Sequence, residues 1–170
     1  RDTDRSRGLG DVYKRQAQVC ANGHMITPSV ELNPELKQDY CSKCGAKTIT
    51  NCPHCNAPIR GELYDDDIAI IGPQPVVDSY CTNYGNPYPW TESALESTAL
   101  LIQEEEELSE QLKASLVESL PDIITETPRT NLAVVRVKKC LASAGKFTAD
   151  AVRQFAIDFG CELVKKSLGL

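Results

Sequence analysis

Histidine is nearly absent from this chain. His24 and His54 are the only two in 170 residues, and both stand in or beside cysteine pairs. Neither is left over to activate a cysteine nucleophile at Cys140 or Cys161. There is no glycine-rich loop to cradle a phosphate and no Ser/His/Asp set. The chain is therefore expected not to be an enzyme, and no small-molecule substrate is evident. No run approaches the roughly 18 apolar residues of a membrane span. No charged-then-apolar export signal precedes Cys20, so the expected location is cytoplasmic. Basic charge is also scarce, with a formal net charge of −6. An acidic chain is a poor non-specific binder of nucleic acid, because that binding rests on a basic face neutralising phosphates.

The first residues stand apart from the rest. Ser6-Arg-Gly-Leu-Gly-Asp-Val-Tyr-Lys-Arg-Gln16 reads like an in-frame translation of a transposase-type sequencing adapter. Residues 1–16 are accordingly set aside, as a fusion scar would be. From Ala17 onward there are 13 Lys and Arg against 21 Asp and Glu, a net charge of −8. Residues 17–90 carry 4 basic and 8 acidic groups, residues 91–127 carry 1 and 10, and residues 128–170 carry 8 and 3. The basic last segment keeps a nucleic-acid contact open locally. It can equally pair with the acidic segment before it.

What the chain does have is cysteine. There are eight, and six lie between Cys20 and Cys81. Without an export signal, such a set argues for metal ligation over disulfides. Cys41-Ser-Lys-Cys44-Gly and Cys52-Pro-His-Cys55 are tight turns that each present two thiolates, and two such turns complete a tetrahedral zinc site. Cys20-Ala-Asn-Gly-His24 and Tyr80-Cys81-Thr-Asn-Tyr84-Gly supply two further turns. Sequential pairing gives a first site of Cys20, His24, Cys41 and Cys44, and a second of Cys52, Cys55, Cys81 and position 84. A crossed pairing, first turn with third and second with fourth, satisfies the spacing as well. His54 lies between two ligands and is expected to point away from the metal. One or two Zn2+ ions per chain are expected, and folding of this region is expected to depend on them.

Tyr84 breaks the pattern, because a phenol is not among the usual zinc ligands. Cys and Tyr codons differ by one base. Taken at face value, the second site has three protein ligands and an open position, as catalytic zinc sites do. A hydrolytic site also needs a general base, and Asn83, Asn86 and Pro87 offer none. A weakened structural site is the better reading, with a zinc-dependent hydrolase as a distant alternative.

Around the cysteines, residues 17–90 are rich in Gly, Pro and Asn, and their apolar runs are short. Gln18-Val-Cys20, Met25-Ile26, Lys47–Thr50, Ile59 and Ile68–Ile71 read as short strands between turns. Asp65–Asp67 and Gly72–Pro75 read as an exposed hairpin or loop. After Trp90 the period changes to that of helices. Ser93-Ala-Leu-Glu96 fits a capping box opening a first helix. Ser109 starts a second, which should stop before Pro121. Pro128 and Thr130 precede a third, closed by Gly145. Thr148 reads as the N-cap of the last, whose Val152, Phe155, Ala156, Phe159, Leu163 and Val164 form an amphipathic stripe. Cys140 and Cys161 fall in these helical patterns and read as core thiols. The expected fold class is α+β. A small double zinc-ribbon-like β domain over 17–90 is followed by an all-α domain of about four helices over 91–170.

Val19-Cys-Ala-Asn-Gly-His-Met-Ile26, Tyr40-Cys-Ser-Lys-Cys-Gly-Ala-Lys-Thr-Ile49, Cys52-Pro-His-Cys-Asn-Ala-Pro-Ile-Arg-Gly61 and Pro87-Tyr-Pro-Trp-Thr91 resemble a bacterial family of uncharacterised proteins, the domain-of-unknown-function 2321 family. The resemblance covers nearly all of residues 17–170. It implies a zinc-ribbon-like N-terminal region, a helical C-terminal region and no particular activity. The family pattern is Cys-x-x-Cys-Gly-x-Pro-Tyr-Pro-Trp, so Tyr84 departs from it.

The expected role is structural or regulatory, through an unidentified protein partner. Tyr88 and Trp90 are candidate contacts, although packing over the zinc site or onto the first helix is the preferred reading. A nucleic-acid-binding role is the competing expectation. It would use Arg129, Arg136, Lys138, Lys139, Lys146, Arg153, Lys165 and Lys166, which could equally form a solvated or acid-paired helix face. No membrane partner is expected.

Overall fold

Residues 13–64 and 77–170 are described by the computed structural model. They form two units, one ending at Trp90 and one starting at Thr91.

Turn-forming residues keep every described strand of the first unit short. Its strands are β1 (Tyr13–Gln16), β2 (Gln18–Cys20), β3 (Met25–Thr27), β4 (Thr48–Ile49) and β5 (Arg60–Tyr64). β2 is the centre of a three-stranded antiparallel sheet with β3 and β4 at its edges, and β1 pairs with β5. The register sets Cys20 opposite Thr48 and Val19 opposite Ile49. The end of β2 therefore lies beside the strand that leaves the second cysteine turn. β1 is drawn from the residues set aside above. The backbone of Gln16 accepts from Val30, and its side chain donates to Thr50 O at 2.9 Å and Asn51 Oδ1 at 3.1 Å. Ile68–Ile71, Asp65–Asp67 and Gly72–Pro75 lie outside the described residues.

The apolar core of this unit is small. Ala17, Val19 and Ile59 are fully buried, and Tyr88 and Trp90 nearly so. Gln18 is buried too, and both ends of its amide are satisfied. Its Nε2 donates to Gln38 O and Thr48 Oγ1, each at 2.9 Å, and its Oε1 accepts from Gln38 N at 3.1 Å. That amide ties the loop before Cys41 to the sheet. Gly61 is required where β5 passes Pro28, since a Cβ there would stand 1.9 Å from Pro28 O.

The second unit is helical. α1 (Pro89–Glu104) runs across the unit boundary, and α2 (Glu110–Ile124), α3 (Thr130–Ser143), α4 (Lys146–Phe159) and α5 (Glu162–Leu168) follow. The architecture is α+β with an all-α C-terminal region, and it has five helices where about four were expected. The predicted last helix is two, because the backbone turns extended at Gly160 and Cys161 and Cys161 N–H donates to Ile123 O at 2.9 Å. Ile102, Leu116, Leu120, Ile123, Val137, Cys140, Val152, Ala156 and Val164 make the core, each 1 % exposed or less. α2 and α3 pack most extensively.

Four helix boundaries differ from the expected ones. α1 starts at Pro89, whose fixed φ suits a first helical turn, rather than at Ser93. α2 continues through Pro121 to Ile124. An internal proline costs about 3 kcal/mol. Burial of Ile123 and Ile124 stabilises by roughly 1.5–3 kcal/mol each, which outweighs it. α3 ends at Ser143, ahead of Gly145. Gly145, not Thr148, caps α4. There the Glu105 carboxylate accepts the Gly145 N–H at 3.2 Å, and Thr148 is buried with its hydroxyl bonded to the same Glu105. Ser109 caps α2 as expected, its Oγ accepting from Leu112 N at 3.2 Å.

Leu116, fully buried on α2, gives a direct check of this core. Leu116→Ala should lower the stability of the helical unit by about 2–5 kcal/mol in urea denaturation followed by far-ultraviolet dichroism. A loss below about 1 kcal/mol would place Leu116 outside the core.

Candidate metal centres

Three of the four cysteine turns share one backbone pattern. The first cysteine donates its N–H to the carbonyl five residues on. These bonds are Cys41 to Ala46 (2.8 Å), Cys52 to Ala57 (2.8 Å) and Cys81 to Asn86 (2.9 Å). Its own carbonyl accepts from the residue four on, from Gly45 (2.7 Å), Asn56 (2.9 Å) and Gly85 (2.7 Å). Those three residues take positive φ, at 72°, 61° and 77°, a conformation reserved mostly for Gly and Asn. Each turn is closed by a bridge between its flanks: Tyr40 to Lys47, Asn51 to Pro58 and Tyr80 to Pro87.

The remaining turn sets its ligands one residue further apart, yet its backbone closes one residue sooner. Cys20 N–H donates to His24 O at 3.0 Å, and Gly23 N–H donates to Cys20 O at 2.9 Å. Gly23 has φ +88°, and a Cβ on it would stand 3.0 Å from the Trp90 Cβ.

These turns converge in two groups, Cys20, His24, Cys41 and Cys44 in one, and Cys52, Cys55 and Cys81 in the other. Within each group the ligand atoms lie within 4.8 Å of one another. The grouping is the sequential one. His24 Nδ1 is 3.5 Å from Cys20 Sγ and 3.6 Å from Cys41 Sγ, and Cys20 Sγ is 3.7 Å from Cys44 Sγ. Cys55 Sγ is 3.5 Å from Cys81 Sγ. A tetrahedron with metal–sulfur bonds of about 2.3 Å has edges of about 3.8 Å. The donors therefore stand where one metal ion per group would put them. All seven expected ligand residues are in the two groups.

The surroundings favour the thiolate at two of these cysteines. Ala46 N–H and the Asn22 side chain, whose Nδ2 is 3.4 Å from Cys44 Sγ, bring the Cys44 thiol down to about 6. Burial pushes the Cys81 thiol up, but Tyr84 N–H, Asn83 N–H and the Cys55 sulfur more than offset this, and it settles at about 7. Burial raises Cys20 and Cys52, which a metal ion would override by displacing their protons.

The fourth turn keeps its shape although Tyr84 occupies its ligand position. Tyr84 N–H donates to Cys81 Sγ at 3.4 Å. The Tyr84 side chain is 52 % exposed, and its ring stacks on His54 with centroids 5.5 Å apart. His54 itself is exposed and belongs to neither group.

Tyr88 and Trp90 are packing residues and not surface contacts. They are 2 % and 4 % exposed, stack with centroids 4.6 Å apart, and Trp90 Nε1 donates to Asp78 O at 3.0 Å. Tyr88 also hydrogen-bonds the Cys81 sulfur; burial first, then the Cys81 charge, drives its phenol far above the usual range. Spacing gave no sign of that bond, nor of the Asn22 donation, because it marks which residues ligate and not which groups hydrogen-bond their sulfurs. Cys140 is a buried core thiol, raised to about 11 by burial and the Glu105 charge, and Cys161 is half-buried.

Part of the basic set is spent within the helical unit. Arg129 pairs with Glu118 at 2.9 Å and Asp122 at 3.4 Å, Arg136 lies 3.7 Å from Glu118 and bonds Ser115 O and Ser119 Oγ, and Arg153 lies 3.6 Å from Asp150. The Arg129 bond holds the Glu118 carboxyl below its usual range. Among the described residues, no helix is long and apolar enough to cross a membrane.

A model of the family described as "Uncharacterized protein conserved in bacteria (DUF2321)" matches residues 13–168. No curated protein and no solved structure matches the chain.

Proposed function

This chain belongs to the DUF2321 family, and we propose that it is a non-enzymatic zinc protein that acts by binding a protein partner. Three thiolates with one imidazole, and a second set of thiolates, form a donor chemistry that suits Zn2+. Reduced thiols of this kind suit a reducing compartment, which the cytoplasm provides.

The observation that carries the reading is where the first unit leaves its apolar residues. Leu32, Leu36 and Tyr40, on the stretch between the first and second cysteine turns, are 57 %, 48 % and 65 % exposed. Scattered exposed leucines mean little, but three large apolar side chains within nine residues suit a contact surface. The Gln18 amide clamp holds the end of this stretch against the sheet. The partner is read as protein rather than nucleic acid because Arg129, Arg136 and Arg153 are already turned to carboxylates.

The test is affinity capture from a bacterial lysate with the full chain and with Leu32→Ser/Leu36→Ser/Tyr40→Ala. A stoichiometric protein captured by the first and lost by the second, at equal zinc content, is the expected result. Capture of nucleic acid that falls steeply with salt and is lost in Lys138→Gln/Lys139→Gln would replace this reading with the competing one.

A further inference from the structure

The two groups differ by one donor, and the difference is chemical. Group one is complete with four ligand atoms, whereas group two has three and no fourth His, Cys, Asp or Glu atom among the described residues within its reach. The missing corner falls at Tyr84, on a turn that retains every backbone bond of the complete turns. In the second turn, Ala46 N–H donates to the Cys44 sulfur. Asn86 holds the same place relative to position 84, where this chain has no sulfur. The corner also opens outward, since Tyr84 is half-exposed and Cys55 half-buried.

We propose that the second group is an open coordination centre whose fourth donor is the thiolate of a low-molecular-weight thiol from outside the chain. This rests on the metal-binding reading above. Three thiolates around a divalent ion make an electron-rich, soft centre that favours another sulfur over a hard oxygen donor. With the thiolate in place the centre carries the charge of an ordinary four-cysteine zinc site. The thiol binds as its anion, and its proton leaves to solvent. Tyr84 and His54 flank the entry with their stacked rings, and Cys52, Cys55 and Cys81 hold the other three corners.

The test is the visible and near-ultraviolet spectrum of the full chain loaded with Co2+, titrated with 2-mercaptoethanol after free cobalt is removed. With two cobalt ions bound, six protein thiolates become seven, so saturable sulfur-to-cobalt absorption should rise by roughly a sixth. Tyr84→Cys should show the raised spectrum without added thiol and no response to it. Tyr84→Ala, which retains the open corner, should respond as the parent does. Two cobalt ions and no thiol response would overturn the inference and leave the metal reading intact. One cobalt ion, held at group one, would do the same. No bound cobalt at all would defeat the metal reading itself.

Discussion

Stripping the metal from the full chain will unfold the first unit and leave the helices in place. Structural zinc contributes an apparent 10–16 kcal/mol in small modules, against a whole-domain stability of about 5–15 kcal/mol. The first unit has a small apolar core to set against that loss, centred on Ala17, Val19 and Ile59 with the Tyr88–Trp90 stack. The helical unit has its own core, without a metal group among the described residues. The two outcomes separate cleanly in spectroscopy. Trp90 is the only tryptophan of the chain and is buried in the first unit, so chelation should shift its fluorescence to that of a solvated indole. The helical dichroism, which comes from residues 89–168, should fall little. A chelator that removed every ion and left Trp90 buried would show that packing alone holds the first unit.

Tyr84→Cys should tighten the second metal ion by more than 100-fold. Loss of a hydrogen-bonding partner outside the ligand shell costs about 10–100-fold in affinity, and a missing ligand should cost more. The replacement needs no backbone adjustment, because the turn from Cys81 to Asn86 already has the bonds and the positive φ of the complete turns. Native mass spectrometry under a graded chelator should show the parent losing one ion early and the other late, and the variant losing both late. Equal retention in both proteins would mean that the fourth corner adds nothing to affinity.

The metal groups were legible in the sequence because ligation constrains spacing so tightly. Two Cys-x-x-Cys turns so close together, with no export signal before them, pointed to metal ligation. Spacing left the pairing open, because the positions of the ligands within each turn do not say which turn faces which. The structure groups them in chain order, with β2 and β4 setting the first turn beside the second through the Cys20–Thr48 register. The helices were legible as elements and less so at their ends. Their apolar periodicity survives any local detail, whereas the ends depend on distant partners. Glu105 decides where α4 begins, forty residues away in the chain, and Ile123 O holds the extended step at Cys161. Pro121 is the clearest case of a local rule outweighed by burial. Tyr88 and Trp90 show the same limit from the other side. Their chemistry allowed a surface contact as well as the favoured core contact, and their burial, with Tyr88 bonded to Cys81 and Trp90 stacked on Tyr88, is what distinguishes the two.

The shared turn has a consequence for how such a protein can change. Each loop is closed by its own bridge and its own two backbone bonds, so its shape does not depend on which side chain fills the second ligand position. A single-base change there alters the chemistry of a corner while the scaffold around it stays the same. Ligand positions in this architecture are sockets, open to stepwise exchange of occupants. The Tyr84 corner is one such socket, carrying an aromatic ring stacked on His54 where the second turn carries a thiol.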